Sequence, residues 1–196
     1  MINLTKGQGI DLVKKGNNLH RVNVALGWAE NKKGVLARLF GNAQDIDCDV
    51  SAACIGKNGK LISTKEVVYY GNRNTSGIRH SGDDLVGGGN KDNETISITF
   101  DDVKSSVESI KVFMNIYDAR DRDQSLGDLH DAYIRVYNAD TNEELCRYNL
   151  DGDYSSDDEG FIAGELNRTN DGWAFKAIGE SVRNASRIDQ IINKYW

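Results

Sequence analysis

The chain has 196 residues, a formal net charge of −6 and a pI near 5.1, with 39% hydrophobic and 28% charged residues. That length suffices for one domain with a substantial core, and the composition is too apolar for a disordered chain. The acidic balance argues against nucleic acid as a partner, because such binding rests on Lys and Arg neutralising phosphates.

The N-terminal residues 1–7 lack the apolar stretch of a secretory signal, and no apolar run reaches the roughly 18 residues that span a bilayer. A cytoplasmic protein without a transmembrane segment is expected. From residue 21 the dominant period is two: Val22, Val24 and Leu26 share one face of a half-buried strand. A short helical stretch is expected at residues 35–40. In residues 45–54 the alternation places Ile46, Cys48, Val50, Ala52 and Cys54 inward and Asp45, Asp47 and Asp49 in a row on the opposite face. Neighbouring carboxylates on that face lie about 7 Å apart, an unfavourable spacing unless solvent or a cation screens it.

Residues 66–70 read as a shorter strand. Residues 80–94, His-Ser-Gly-Asp-Asp-Leu-Val-Gly-Gly-Gly-Asn-Lys-Asp-Asn-Glu, form a glycine loop bracketed by Asp83, Asp84, Asp92 and Glu94. Glycine lets the backbone turn its carbonyls inward, and hard oxygen donors on such a loop suit calcium better than magnesium, whose geometry is stricter. The loop lacks the spacing of a phosphate-binding loop, and its acids would repel a phosphate. A plain flexible hairpin loop is the structural alternative.

Strands recur at 95–100, 110–116, 132–137, 144–150, 161–166 and 173–177, with a helical turn expected at 103–107. Val182, Ala185, Ile188, Ile191 and Ile192 fall at three-to-four spacing after a possible cap at Ser181, which predicts a C-terminal helix packed on a sheet. The whole is an all-β chain, an antiparallel β-sandwich with a C-terminal helix and short helical turns, in a single domain over 1–196. Cys48, Cys54 and Cys146 are expected as small buried hydrophobes, since no CxxC pair exists and an odd count leaves no complete disulfide framework. Trp28 and Trp173 are expected in the core.

Two further acidic stretches are weaker. Residues 118–123 alternate in sign and read as a solvated loop with local ion pairs. Residues 151–159 begin like an EF-hand loop, but Ser156 stands where glycine is required and Ile162 where a carboxylate must ligate.

The acidic segments carry a resemblance. Gly27-Trp28, then Asp45-Ile46-Asp47-Cys48-Asp49-Val50-Ser51, then His80 to Glu94 resemble the tellurium-resistance (TerD-type) protein family. Further matches in the family order include Tyr117-Asp118-Ala119, Gln124-Ser125-Leu126-Gly127, Asp131 to Val136, Gly164-Glu165-Leu166 and Gly172 to Gly179, so the resemblance covers almost the whole chain. It implies a calcium-binding β-sandwich in a stress-response setting that includes tellurite resistance. Carried over by position, the ligands to one or two calcium ions are the side chains of Asp47, Asp49, Asp83, Asp84, Asp92 and Glu94, with carbonyls near Leu85 and Gly87. Gly88, Asn90, Lys91 and Asn93 depart from the pattern and lower the loop's charge. The expectation is a binding or scaffold module with protein partners in a stress-response assembly, with no catalytic residues. The alternative is a metal-dependent hydrolase using the same carboxylates, with His80 as base.

Overall fold

The period-two segments pair into two sheets. The computed structural model describes residues 1–13, 19–30, 46–82 and 92–195. Strands β1 (Ile2–Leu4), β3 (Arg21–Glu30), β6 (Asn74–Thr75), β7 (Ile78–His80), β8 (Glu94–Thr99), β10 (Leu129–Asn138) and β11 (Glu144–Asn149) form one sheet, in the order β1, β11, β10, β3, β8, β7, β6. Strands β2 (Gly9–Val13), β4 (Cys48–Ile55), β5 (Val67–Val68), β9 (Ser109–Ile116), β12 (Gly160–Arg168) and β13 (Trp173–Val182) form the other, in the order β2, β13, β12, β9, β4, β5. Pairing is antiparallel except where β1 joins β11.

The core lies between the sheets. Val22, Val24, Leu26 and Trp28 of β3 and Ile96 and Ile98 of β8 meet Cys48, Val50, Ala52 and Cys54 of β4 and Val112 and Met114 of β9 in one buried cluster. Period-two burial follows from the pleat, which turns successive side chains to opposite faces. Trp28 and Trp173 are core residues as expected, at 1% and 3% exposure.

A second apolar cluster covers the outer face of the six-stranded sheet, where Ala53, Ile55, Phe113 and Ile162 pack against Ala185, Ile191 and Ile192. Strand β4 is therefore buried along its whole length. The covering element is shorter than the sequence spacing predicts. Helix α1 runs over Ile188–Ile192 and continues as a 3-10 turn over Asn193–Tyr195. Ser181 and Val182 belong to β13, where they pair with Phe161 and Gly160, so ladder hydrogen bonds win over the expected cap. The apolar spacing still marks burial, because Ala185, Ile191 and Ile192 all join the cluster while Val182 and Ile188 pack at its edge.

The helical turn expected at 103–107 is instead a 3-10 turn over Phe100–Asp102 followed by non-helical backbone. The stretch at 35–40 lies outside the described residues. Four short strands, β1, β2, β6 and β7, carry too few residues to show a period. Among the described residues no helix is long and apolar enough to cross a membrane.

Strand β12 shifts register between Ile162 and Gly164, and a Cβ on Gly164 would lie 2.4 Å from the Phe175 ring. Phe175 is 1% exposed and has no room to withdraw. Gly164→Ala is expected to destabilise by about 2 kcal/mol through overpacking, lowering the melting temperature by about 4–8 °C in a calorimetric scan.

Candidate functional site

One end of the sandwich is built around the first turns of β4 and the entry to β8. Strand β5 pairs with β4 only at Ala52 and Ala53, so the earlier part of β4 has an open edge. Val50 lies on that edge, paired with Met114 of β9 on its other side. Its N–H donates to Glu94 Oε2 at 2.6 Å, and its carbonyl accepts from His80 Nε2 at 3.0 Å. Both side chains come from the opposite sheet and are buried, Glu94 at 1% and His80 at 0% exposure. Together they take the place of a neighbouring strand. His80 Nδ1 accepts the Gly82 N–H at 3.0 Å, so the ring proton is on Nε2, which also lies 3.4 Å from Glu94 Oε2.

Asp47 and Asp49 precede Val50 and are buried, at 8% and 4% exposure. The solvated acidic face open to the sequence reading is absent here, because the C-terminal segment and the 117–122 segment close over this end. Asp49 and Asn115 are partners across β4 and β9. The Tyr117 N–H donates to the Asp47 carbonyl, and Arg122 Nη1 lies 3.7 Å from Asp47 Oδ2. Cys48 registers the field of these acids. Burial pushes its thiol well above the ordinary value, and Asp49, Glu94 and Asp47 push it further.

Asp49 is the chain neighbour of Val50, whose N–H donates to Glu94, and Asp47 lies just before β4, whereas Asp92 is directed elsewhere. Arg135 grips Asp92 with Nε and Nη2 at 2.8 and 2.6 Å, and the Tyr133 hydroxyl adds a third bond at 3.0 Å, on the outer face of the seven-stranded sheet. Asp45, Asp83, Asp84, Leu85 and Gly87 lie outside the described residues. Among the described residues no group of three or more His, Cys, Asp or Glu side chains is placed to hold a metal ion. Asn93 ties the loop exit to β3: its side chain accepts the Trp28 N–H and its own N–H donates to the Leu26 carbonyl.

The weaker acidic stretches are structural. Asp118 pairs with Arg187, Arg120 with Glu159 and Arg122 approaches Asp47, so the ion pairs of this segment are long-range, not local. Asp151 accepts from the backbone of Asp131 and Ala132 and from Tyr154, and Asp153 accepts from Tyr148. Sequence reasoning missed a cavity of 240 Å³ beside Asp49, lined in part by Ser51, Tyr69, Tyr70, Asn115 and Tyr117. Ser51 and Tyr117 stand within matched motifs; Tyr69, Tyr70 and Asn115 carry no local signal.

Two antiparallel-rich sheets and a short C-terminal helix define an all-β sandwich class, and similarity places it further. The TerD domain family matches residues 1–195, and the chain belongs to that family. It is 36% identical over 199 residues to the stress response protein SCP2 of Bacillus subtilis, covering 99% of this chain and 98% of that protein. It is 34% identical over 181 residues to the tellurium resistance protein TerD of Serratia marcescens, covering 91% and 90% respectively. Among solved structures, a homologue of telluride resistance protein (TerD) from Streptomyces coelicolor A3(2) superposes with a TM-score of 0.66 at 17% identity, covering 85% of this chain and 92% of that one. The resemblance seen in the motifs is thus a family membership.

All three cysteines are buried. Burial is the main cause that raises the Cys54 and Cys146 thiols to about 12, and Cys48 is raised as well, so none is a thiolate near neutrality. An aromatic disulfide reagent is expected to titrate no thiol in the native protein and all three after denaturation; rapid native reaction would contradict the burial. For the inter-sheet tie, Glu94→Ala leaves the buried Val50 N–H without its acceptor. In metal-free protein it is expected to lower stability by about 1–3 kcal/mol, read from the urea midpoint.

Proposed function

We propose that this chain is a calcium-binding module of a bacterial stress response, acting as a scaffold for protein partners and not as an enzyme. The observation that supports this is the burial of Asp47, Asp49 and Glu94, with Glu94 accepting the N–H of Val50, the residue after Asp49, in the two segments that carry the family's acidic motifs. Buried carboxylates repel one another and are costly to desolvate, and a bound cation offsets both effects. The donors are hard oxygens without an available thiolate or imidazole lone pair, which suits calcium over zinc or copper.

In this assignment Asp47, just before β4, and Asp49, on it, contribute from one side, while Asp83, Asp84 and the carbonyls of Leu85 and Gly87 contribute from the glycine segment. Glu94 holds the edge of β4 in place beside the ion. Asp92 has a different task, anchoring the loop exit through Arg135. When bound, calcium supplies positive charge that joins β4 to the segment before β8, fixing a surface for a partner. Stress-response and tellurium-resistance functions are the names carried by relatives of the chain, and their extension to it rests on this family tie.

The hydrolase alternative needs His80 as a base. Its Nδ1 lone pair already accepts a backbone N–H and its Nε2–H already serves a carbonyl, so the ring has nothing left with which to take a substrate proton.

Isothermal titration of chelator-treated protein with calcium is the test. Binding heat is expected, together with stabilisation of about 2.7 kcal/mol at a hundredfold excess over Kd, a rise of about 5–10 °C in melting temperature. Asp47→Asn with Asp49→Asn should abolish both signals. Absence of calcium heat in the parent protein would sink the proposal.

A further inference from the structure

The cavity beside Asp49 has a chemistry of its own. Its floor is the outer face of β4 and β9, where Asp49, Ser51 and Asn115 replace the apolar residues that line the rest of that face. Ser51 and Asn115 are 1% and 2% exposed, and Ser51 Oγ and Asn115 Oδ1 have no hydrogen-bond partner among the described residues. The Asn115 amide nitrogen lies 3.4 Å from the Ser186 carbonyl, which orients the amide and leaves its oxygen as the spare acceptor. Buried acceptors without partners are rare in folded proteins, because each has given up water for nothing.

The walls are aromatic. Tyr69 and Tyr70 stand at an interplanar angle of 84° with centroids 5.3 Å apart, and Tyr70 and Tyr117 at 88° and 6.0 Å. Successive rings at right angles form the sides of a box. Asp49 lies close enough to Tyr70 that, after burial and Tyr117, it helps hold the phenol protonated, with its pKa raised to about 12. The roof is Arg187, Ile188 and Asp189 at the start of α1, and the Arg187 guanidinium is turned to Asp118, 2.9 Å from Nε to Oδ1.

We propose that this cavity binds a primary alkylammonium ion, its N–H groups donating to Asn115 Oδ1, Ser51 Oγ and Asp49, and its charge and stem enclosed by the rings of Tyr69, Tyr70 and Tyr117. Ring faces attract cations, and spare acceptors beside a carboxylate require a ligand that donates. An anion meets Asp49 and Asp189, and a neutral hydrocarbon leaves the acceptors unserved. Calcium takes about six to eight oxygens, more than a box of rings offers, and zinc prefers thiolate and imidazole ligands, which the cavity lacks. The volume of 240 Å³ accommodates a four-carbon amine. The site is separate from the calcium proposal except at Asp49, so its test varies residues that only the cavity uses.

Isothermal titration of the full chain, once with saturating calcium and once with chelator, would use 1,4-diaminobutane, with 1-butanol as the uncharged control. One diamine per chain and no butanol heat is expected. Tyr70 is 39% exposed, so Tyr70→Ala should fold normally while weakening diamine binding about tenfold, and Tyr70→Phe should retain it. Asn115→Leu should weaken it comparably. A parallel titration with Nα-acetyl-lysine methylamide separates the two sources of the same chemistry: tighter binding than the diamine points to a lysine side chain of a partner, weaker binding to a free amine. No diamine heat in the parent protein, or equal affinity in Tyr70→Ala, overturns the proposal whatever calcium does.

Discussion

Strand β4 lies beside the last strand of its sheet, yet β5 covers only two of its residues, and the remaining edge is inside the protein. A buried, open edge is unstable, since each unpaired N–H or carbonyl loses its water without replacement. Glu94 and His80 resolve this from the opposite sheet by serving both backbone groups of Val50. The consequences spread from there. The two sheets are tied by hydrogen bonds as well as apolar contact, and β4 is buried along its whole length.

The opposite surface shows how the same acidic composition is absorbed when cations are present. On the outer face of the seven-stranded sheet Arg135 binds Asp92 and Glu144, and Arg147 binds Glu144. Burial works to raise the Glu144 carboxyl, but the bonds from Arg147 and Arg135 prevail and hold it below its ordinary value. The same guanidinium groups stack on Tyr137 and Tyr133. Gly27 lies under Tyr133, and a Cβ there would come 2.4 Å from the ring. The glycine of the Gly-Trp pair therefore serves the outer face while its tryptophan serves the core.

The chain thus sorts its carboxylates by partner. Asp151, Asp153 and Asp158 accept hydrogen bonds from neighbouring backbone or tyrosine and shape the turn that follows β11. Asp92, Asp118 and Glu144 pair with arginine. Glu94 accepts the Val50 N–H, and Asp47 and Asp49 are the buried pair offered to the ion. That distinction, and not the number of acids in a stretch, separates structural carboxylates from those proposed to bind an ion.

Much of this was legible in the order of residues alone. Alternation fixes which face of a strand is buried, so the core positions of β3, β4, β8 and β9 followed from sequence, as did the sandwich class and the burial of the tryptophans and cysteines. Motif spacing brought out the family and the importance of the segments around Asp47 and Glu94. Local pattern failed where non-local pairing decided the outcome. Ser181 and Val182 were claimed by β12, Asp92 was claimed by an arginine 43 residues away, and Asp49 came to line a cavity with Arg187 and Asp189, more than 130 residues further on. The cavity walled by Tyr69, Tyr70 and Tyr117 is likewise a product of tertiary contact, because its residues come from four separate stretches of chain. Periodicity reports which way a side chain points; only the packed structure decides what it meets there.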